Sequence, residues 1–261
     1  QPDGLWLGMK GRPTLVGFDG PELKGANNVV IPKIDHRETS FSPAAFEATF
    51  KFLTGQSPQH NIQVQSQIEL NGKVFGLGVD PLQASSGNFV NNLPLQGAKL
   101  SVYAVDQQTG QRQGPPLHTR TIEADGQWGP FKGNSATAYE FELTADGYAT
   151  THIYRSPFAR SSNIIHMRPE RIAAADRTSD SLVILTRPRG YFDASRDQIS
   201  LDGKSDIPGV VRGVSAGNST ARIKMPEQPQ RSVAAEFNGE KLRGLNWPAS
   251  QNHVTVLELT Y

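Results

Sequence analysis

One stretch gathers the residues best suited to chemistry. In Leu23-Lys24-Gly25-Ala26-Asn27-Asn28-Val29-Val30-Ile31-Pro32-Lys33-Ile34-Asp35-His36, a histidine follows directly on an apolar run and precedes the loop into a capped helix. An imidazole in that place is held at a sheet edge, where open α/β sheets put their sites, and can take up and return a proton near neutral pH. Other constellations are weaker. His152 and His166 have no third partner for zinc, and Asp193, Asp197, Asp202 and Asp206 match no EF-hand spacing and read as turn acids. Tyr148, Tyr154, Phe158 and Trp128 are aromatic enough to line an acyl or sugar surface, but aromatic residues in strands read first as core. Arg155, Arg160, Arg168, Arg171 and Arg177 read as a solvated face or as linker contacts. Cysteine is absent, which excludes a thiol nucleophile, a zinc ribbon and an iron–sulfur cluster, so acyl chemistry must use a hydroxyl or water.

The elements that must position these residues are short. Among 261 residues, 25 Gly and 18 Pro recur throughout and cut the chain into strand-sized pieces. One segment reads as a helix: Ser42 as N-cap, Pro43 in the first turn, an Ala- and Phe-rich run to Leu53, and Gly55 as the stop. Its Phe46, Phe50 and Leu53 share a face. Upstream, residues 28–34 read as a buried strand of continuous apolar type, giving residues 1–57 α/β character. After the linker-like 55–60, Ile62, Val64, Ser66, Ile68 and Leu70 alternate with polar residues, and Asn71-Gly72 signals a hairpin. Further strands are expected near 97–105, 119–124, 138–144, 150–155 and 163–167, a pattern of a small antiparallel sandwich over 62–168. A second β block over 176–261, sandwich or barrel, is expected from strands at 182–185, 197–201, 209–214, 221–224, 233–237 and 254–261, with turns at Asp202-Gly203 and Asn238-Gly239.

Charge narrows the partners. With 26 Lys plus Arg against 25 Asp plus Glu, the chain has no basic field for nucleic acid and no polybasic membrane anchor. Its longest apolar stretches, such as Leu182–Leu185, fall far short of the ~20 residues that cross a bilayer, so no transmembrane segment is expected. Gln1-Pro2-Asp3-Gly4 has neither the charged start nor the apolar middle of a signal peptide, which reads as a mature chain or a piece of one.

Leu23, Gly25, Ala26, Asn28 and Val29, with His36 at its spacing behind them, resemble the end of an α/β-hydrolase of the bacterial lipase type. There such a run leads through the last strand to the triad histidine and the final helix. The resemblance covers roughly residues 1–55 and implies that His36 is the catalytic base, taking the proton of a serine hydroxyl and returning it to the leaving group. It also implies a carboxylate ahead of His36, because the family's chain order is Ser, then Asp, then His. The candidates are Asp3 in Pro2-Asp3-Gly4-Leu5 and Asp19 in Phe18-Asp19-Gly20-Pro21. Asp3 leaves room for an intervening loop; Asp19 follows an apolar run but lies only four residues before Leu23. Asp35, the sequence neighbour of His36, points the other way at a strand end and reads as part of the loop.

The serine is the departure from the family. The string Gly213-Val214-Ser215-Ala216-Gly217 has the required residue types, but an elbow needs a strand before the serine and a helix after it. Here a turn and another strand follow, and the string lies after His36, so it reads as a glycine-rich turn. The nucleophile, its elbow and the oxyanion-hole strand are expected upstream of Gln1.

Residues 62–168 resemble transthyretin-like or carboxypeptidase-regulatory-like sandwich modules, on Leu95-Gln96-Gly97-Ala98-Lys99-Leu100-Ser101-Val102-Tyr103, Ala124-Asp125-Gly126-Gln127-Trp128 and Tyr139-Glu140-Phe141-Glu142-Leu143. The expected fold class is therefore mainly β: the C-terminal end of an α/β-hydrolase sheet with its final helix, then two antiparallel β domains. The implied function is hydrolysis of carboxylic esters, lipid-like ones foremost, by a secreted or periplasmic bacterial protein that needs no cofactor and no metal. Its implied partners are the ester substrate and an N-terminal hydrolase segment carrying the serine. The competing class is a non-catalytic binding or adhesion protein whose first residues are a hydrolase remnant.

Overall fold

The computed structural model describes Gly25, residues 29–79, 89–212, 217–226 and 230–260. In chain order its elements are helices α1 (Glu38–Phe41) and α2 (Pro43–Thr54) and strands β1 (Gln67–Leu70), β2 (Phe75–Val79), β3 (Phe89–Pro94), β4 (Lys99–Val105), β5 (His118–Thr121), β6 (Phe131–Asn134), β7 (Ala138–Thr144), β8 (Thr150–Arg155), β9 (Ser181–Thr186), β10 (Ile199–Leu201), β11 (Thr220–Met225), β12 (Ser232–Phe237), β13 (Glu240–Leu245) and β14 (His253–Glu258). The protein is mainly β.

A seven-stranded sheet in the order β11-β9-β14-β8-β7-β4-β5 is the backbone of the molecule. Apolar clusters cover both its faces. Leu182 and Ile184 of β9 and Val254 and Val256 of β14 join one with Trp128, Phe141 and Leu143, while Val183, Leu185 and Leu257 join the other with Phe192 and Phe237. Burial on both faces is why Leu182–Leu185 is apolar without interruption. On the first face β1 pairs with β6, and on the second β10, β12 and β13 form a three-stranded sheet.

This topology corrects the expectation of purely antiparallel blocks. The last strand, β14, inserts between β8 and β9 and runs parallel to both, Val256 lying opposite Ile153 and Ile184. The two β blocks thus share one sheet. Pairing across about a hundred residues leaves no local trace in sequence, whereas hairpin turns do. Asn238-Gly239 takes the left-handed conformation at both positions (φ 47° and 93°) and joins β12 to β13 as expected. Asn71-Gly72 does not make its expected hairpin. β1 pairs with β6 instead, and a Cβ on Gly72 would lie 2.0 Å from the Ile165 carbonyl oxygen, so glycine is there for close packing.

The N-terminal region departs most from expectation. The hydrolase-type strand over 28–34 is not formed by its described residues: 29–34 is irregular, and Val29 and Val30 are 57% and 58% exposed. A lone apolar segment has no ladder partner among the described residues, and an unpaired strand is not a stable element. The helix does form as its local signals require. The Ser42 hydroxyl accepts from Ala45 N at 3.2 Å, Pro43 stands in the first turn, and Gly55 closes α2 at φ 72°. Yet Ala45 is its one buried residue, and Phe46, Phe52 and Leu53 face outward.

Candidate functional site

His36 lies in a two-residue turn between the irregular 29–35 segment and α1, and it is exposed. The turn is built by its neighbours. Asp35 Oδ1 accepts from Arg37 N at 2.9 Å and Glu38 N at 3.0 Å, while Glu38 Oε2 accepts from Asp35 N at 2.7 Å. This reciprocal Asp-x-x-Glu arrangement satisfies donors at the start of α1 in the manner of a capping box, a signal readable in Asp35-His36-Arg37-Glu38. Asp35 is only 3% exposed, and its second oxygen accepts from Tyr191 N at 2.6 Å and Arg187 Nη1 at 3.4 Å. With four donors engaged, the Asp35 carboxylate is committed to the turn.

Arg187 and Arg196 come from the loop between β9 and β10. Arg187 Nη2 donates to Glu38 Oε1 at 2.6 Å and Nη1 to the Tyr191 carbonyl at 2.7 Å; Arg196 Nη1 donates to Glu38 Oε2 at 2.8 Å. Asp197, one of the four spaced acids, pairs with Arg196 Nε at 2.9 Å, and Asp202 pairs with Arg231 at 2.8 Å. These two acids are ion-pair partners, and Asp193 Oδ1 accepts from Ser195 N in a turn, in line with the reading of turn acids. Asp3, Asp19 and Ser215 lie outside the described residues.

A second cluster, which the sequence reading missed, is buried on one face of the large sheet. Glu140 and Glu142 on β7, His152 on β8 and His253 on β14 project to the side of the Phe192 and Phe237 cluster, and Arg112 and Trp247 from adjoining loops lie over them. Arg112 grips Glu140 through two bonds, Nε to Oε2 at 2.8 Å and Nη2 to Oε1 at 2.6 Å, and reaches Glu142 at 2.6 Å. His152 Nδ1 lies 2.7 Å from Glu140 Oε1, and its Nε2 lies 2.8 Å from His253 Nδ1. Trp247 stacks on His152 with centroids 4.0 Å apart and rings 6° from parallel.

The electrostatics follow from this packing. Burial pushes the Glu140 carboxyl up, but the hydrogen bonds and charges of Arg112 and His152 more than offset it and hold it below the usual carboxylate range. Burial, then the neighbouring His152 and Arg112, push His253 below an ordinary imidazole. Tyr154, whose hydroxyl accepts from Trp247 Nε1 at 3.0 Å, is raised chiefly by burial. Oxygens of Glu140 and Glu142 and a nitrogen of His152 lie within 4.8 Å of one another, the spacing of a metal site. The Arg112 guanidinium already sits among them as the cation, which uses the donor set and argues against a metal there. A carboxylate aligned on Nδ1 fixes the tautomer of His152, as in hydrolytic triads. Among the described residues, no hydroxyl is hydrogen-bonded to either imidazole.

The remaining candidates separate. His166 Nδ1 accepts from Lys73 N at 3.1 Å on the opposite side of the sheet from His152, so the two do not meet. Trp128 is fully buried and donates to Ile165 O at 2.8 Å, and Tyr154 is fully buried as well, both as core. Arg155 corrects the reading of a solvated face: it is 4% exposed and pairs with Glu258 at 2.7 Å.

Residues 66–172 match the family described as the lipase C-terminal domain, which supports a lipase-associated β domain over that range. No curated protein matches the chain. Among solved structures, the shaft pilin SpaA from Lactobacillus rhamnosus GG is similar at 10% identity and a TM-score of 0.25, covering 75% of this chain and 99% of the pilin. A single-substitution variant of the same pilin is similar at 12% identity and a TM-score of 0.27, with 75% and 99% covered.

Proposed function

We propose that this chain is the C-terminal portion of a serine hydrolase that cleaves carboxylic esters, lipid-like ones foremost, at a serine carried on a hydrolase segment outside residues 1–261. The match of residues 66–172 to the lipase C-terminal domain family is the observation that carries the reading. The exposed Val29, Val30, Phe46, Phe52 and Leu53 add to it, because an apolar helix and approach segment of this kind are what a hydrolase domain would cover. In this reading residues 1–57 complete the hydrolase domain, and the β blocks over 62–168 and 176–261 brace it. The protein works outside the cytoplasm of a bacterium.

His36 is the general base. Its exposed imidazole takes the proton from the serine hydroxyl as the oxygen attacks the ester carbonyl, then gives it to the departing alkoxide; water attacks the acyl-enzyme by the same route. Asp35 is engaged by four donors, so the acid that fixes the His36 tautomer comes from elsewhere, with Asp3 and Asp19 the candidates in this chain. Ser215 takes no part.

The test is ester hydrolysis by the native protein, with its hydrolase segment, in His36→Ala and Ser215→Ala forms. Loss of any triad member leaves only the residual catalysis of binding and the oxyanion hole, so His36→Ala should lower kcat by about 10³-fold or more. Ser215→Ala should leave it unchanged. Full activity in His36→Ala overturns the assignment, and absence of esterase activity from the wild-type protein favours a binding module.

A further inference from the structure

Among the described residues, the contacts that fasten the segment bearing His36 to the β region bracket the histidine. Arg37 Nη1 donates to Pro188 O at 3.2 Å, and its guanidinium lies over the Tyr191 ring, 5.2 Å from the centroid. Arg196 Nη1 donates to Lys33 O at 3.3 Å and to Glu38, Arg187 joins Asp35 to Glu38, and Tyr191 N donates to Asp35. Contacts therefore fall on the residues immediately before and after His36. Apolar packing does not explain the attachment, since Val29, Val30, Phe41 and Phe46 are all more than half exposed.

The receiving loop is itself held by backbone hydrogen bonds and a buried aromatic contact. Arg187 N donates to Ser219 O, Phe192 N to Asn218 O and Ala194 N to Val211 O, each within 2.9 Å, and Phe192 is buried against Phe237. Gly190 makes room for the clamp: a Cβ there would stand 2.2 Å from Arg187 Nη1 and 2.4 Å from Cζ. The guanidinium cannot yield freely, because both its terminal nitrogens are engaged.

We propose that Arg187 and Arg196 are positioning residues for His36: through Asp35 and Glu38 the β region fixes the turn from which the imidazole meets the serine. The proposal rests on His36 being the base. Two long guanidinium forks on this hydrogen-bonded loop give a directional grip that a single lysine contact does not. A base displaced by about 1 Å loses about 10²-fold in rate while substrate binding is unaffected.

The experiment compares Arg187→Ala, Arg187→Lys and Gly190→Ala in the native protein, with its hydrolase segment, against wild type and His36→Ala. Expected in Arg187→Ala is a kcat lower by about 10²-fold with KM unchanged, matched by slower phosphonylation of the serine by a fluorophosphonate. Arg187→Lys should recover part of the loss. Gly190→Ala, which keeps every charge but crowds the guanidinium, should fall in the same direction, and it decides the matter if Arg187→Ala does not fold. Wild-type kcat in Gly190→Ala and in any folded Arg187 variant, with His36→Ala inactive, overturns the positioning role alone. Activity in His36→Ala shows that the underlying reading has failed.

Discussion

Two regions of the molecule build arginine–carboxylate lattices beside a histidine and hold them by opposite means. Around His152 the lattice lies inside the sheet: Glu140 is fully buried, Arg112 and Trp247 cover it, and apolar clusters fill both faces of the strands that carry it. Around His36 the lattice is a joint between a segment whose apolar side chains face outward and a loop of the β region. In the first case packing makes the ion pairs obligatory, because removing one partner strands a charge away from water. In the second Asp35 and Arg187 are also buried, but the ion pairs are themselves what joins the segment to the loop. The same residue types thus act as core in one place and as a fastening in the other.

The two lattices should differ most at Glu140. Glu140→Ala leaves Arg112 and His152 without their carboxylate and should cost about 3–5 kcal/mol, read as a fall in the urea midpoint of the sheet. A change well under 1 kcal/mol would show that water reaches the cluster. Ser42→Ala should cost about 1 kcal/mol, confined to α2 and visible as faster amide exchange there with the sheet unaltered; faster exchange in β8 or β14 as well would mean that helix and sheet open together.

Acidification should act more weakly and only on the buried cluster. His253 is held below an ordinary imidazole, so the unfolded chain binds its proton first. Its contribution to stability is complete above pH ~6.5 and falls as the pH drops from there towards the folded value. Unfolding midpoints at pH 7.5 and 5.5 should differ less in His253→Gln than in wild type, and an equal difference would exclude His253 as the group. Glu140 titrates in a separate, lower window, since its depressed value keeps it ionised until the pH falls below the usual carboxylate range. The smallest effect on the sheet is expected from Asp35→Asn. Residues 29–54 should exchange faster while the sheet's midpoint stays where it was, and a fall like that of Glu140→Ala would make the joint part of the core.

What was legible in the sequence was local. The cap at Ser42, the stop at Gly55 and the Asn238-Gly239 hairpin each depend on a few neighbouring residues, and each stands where expected. The insertion of β14 was not legible, because nothing near Thr255 says that His152 and Val183, each distant from it in sequence, flank it. Nor was the buried cluster. In Ala138–Thr144 the alternation of Tyr, Phe and Leu with Glu has the form of a strand with one solvated face, and Arg112 and Trp247, which close that face, lie about thirty and a hundred residues away. The strand expected over 28–34 failed for the complementary reason: its apolar pattern is real, but no described neighbour pairs with it. The joint at His36 had a visible half, the Asp35-x-x-Glu38 box, and a hidden one, since Arg187 and Arg196 reach it from more than 140 residues downstream.

In the proposed function the reacting serine lies on a hydrolase segment outside residues 1–261. The most direct measurement treats the native preparation with a fluorophosphonate and maps the modified residue by mass spectrometry. One labelled serine is expected, on that hydrolase segment, with labelling lost in His36→Ala. Stoichiometric label at Ser215, or at any other serine of this sequence, would contradict that proposal.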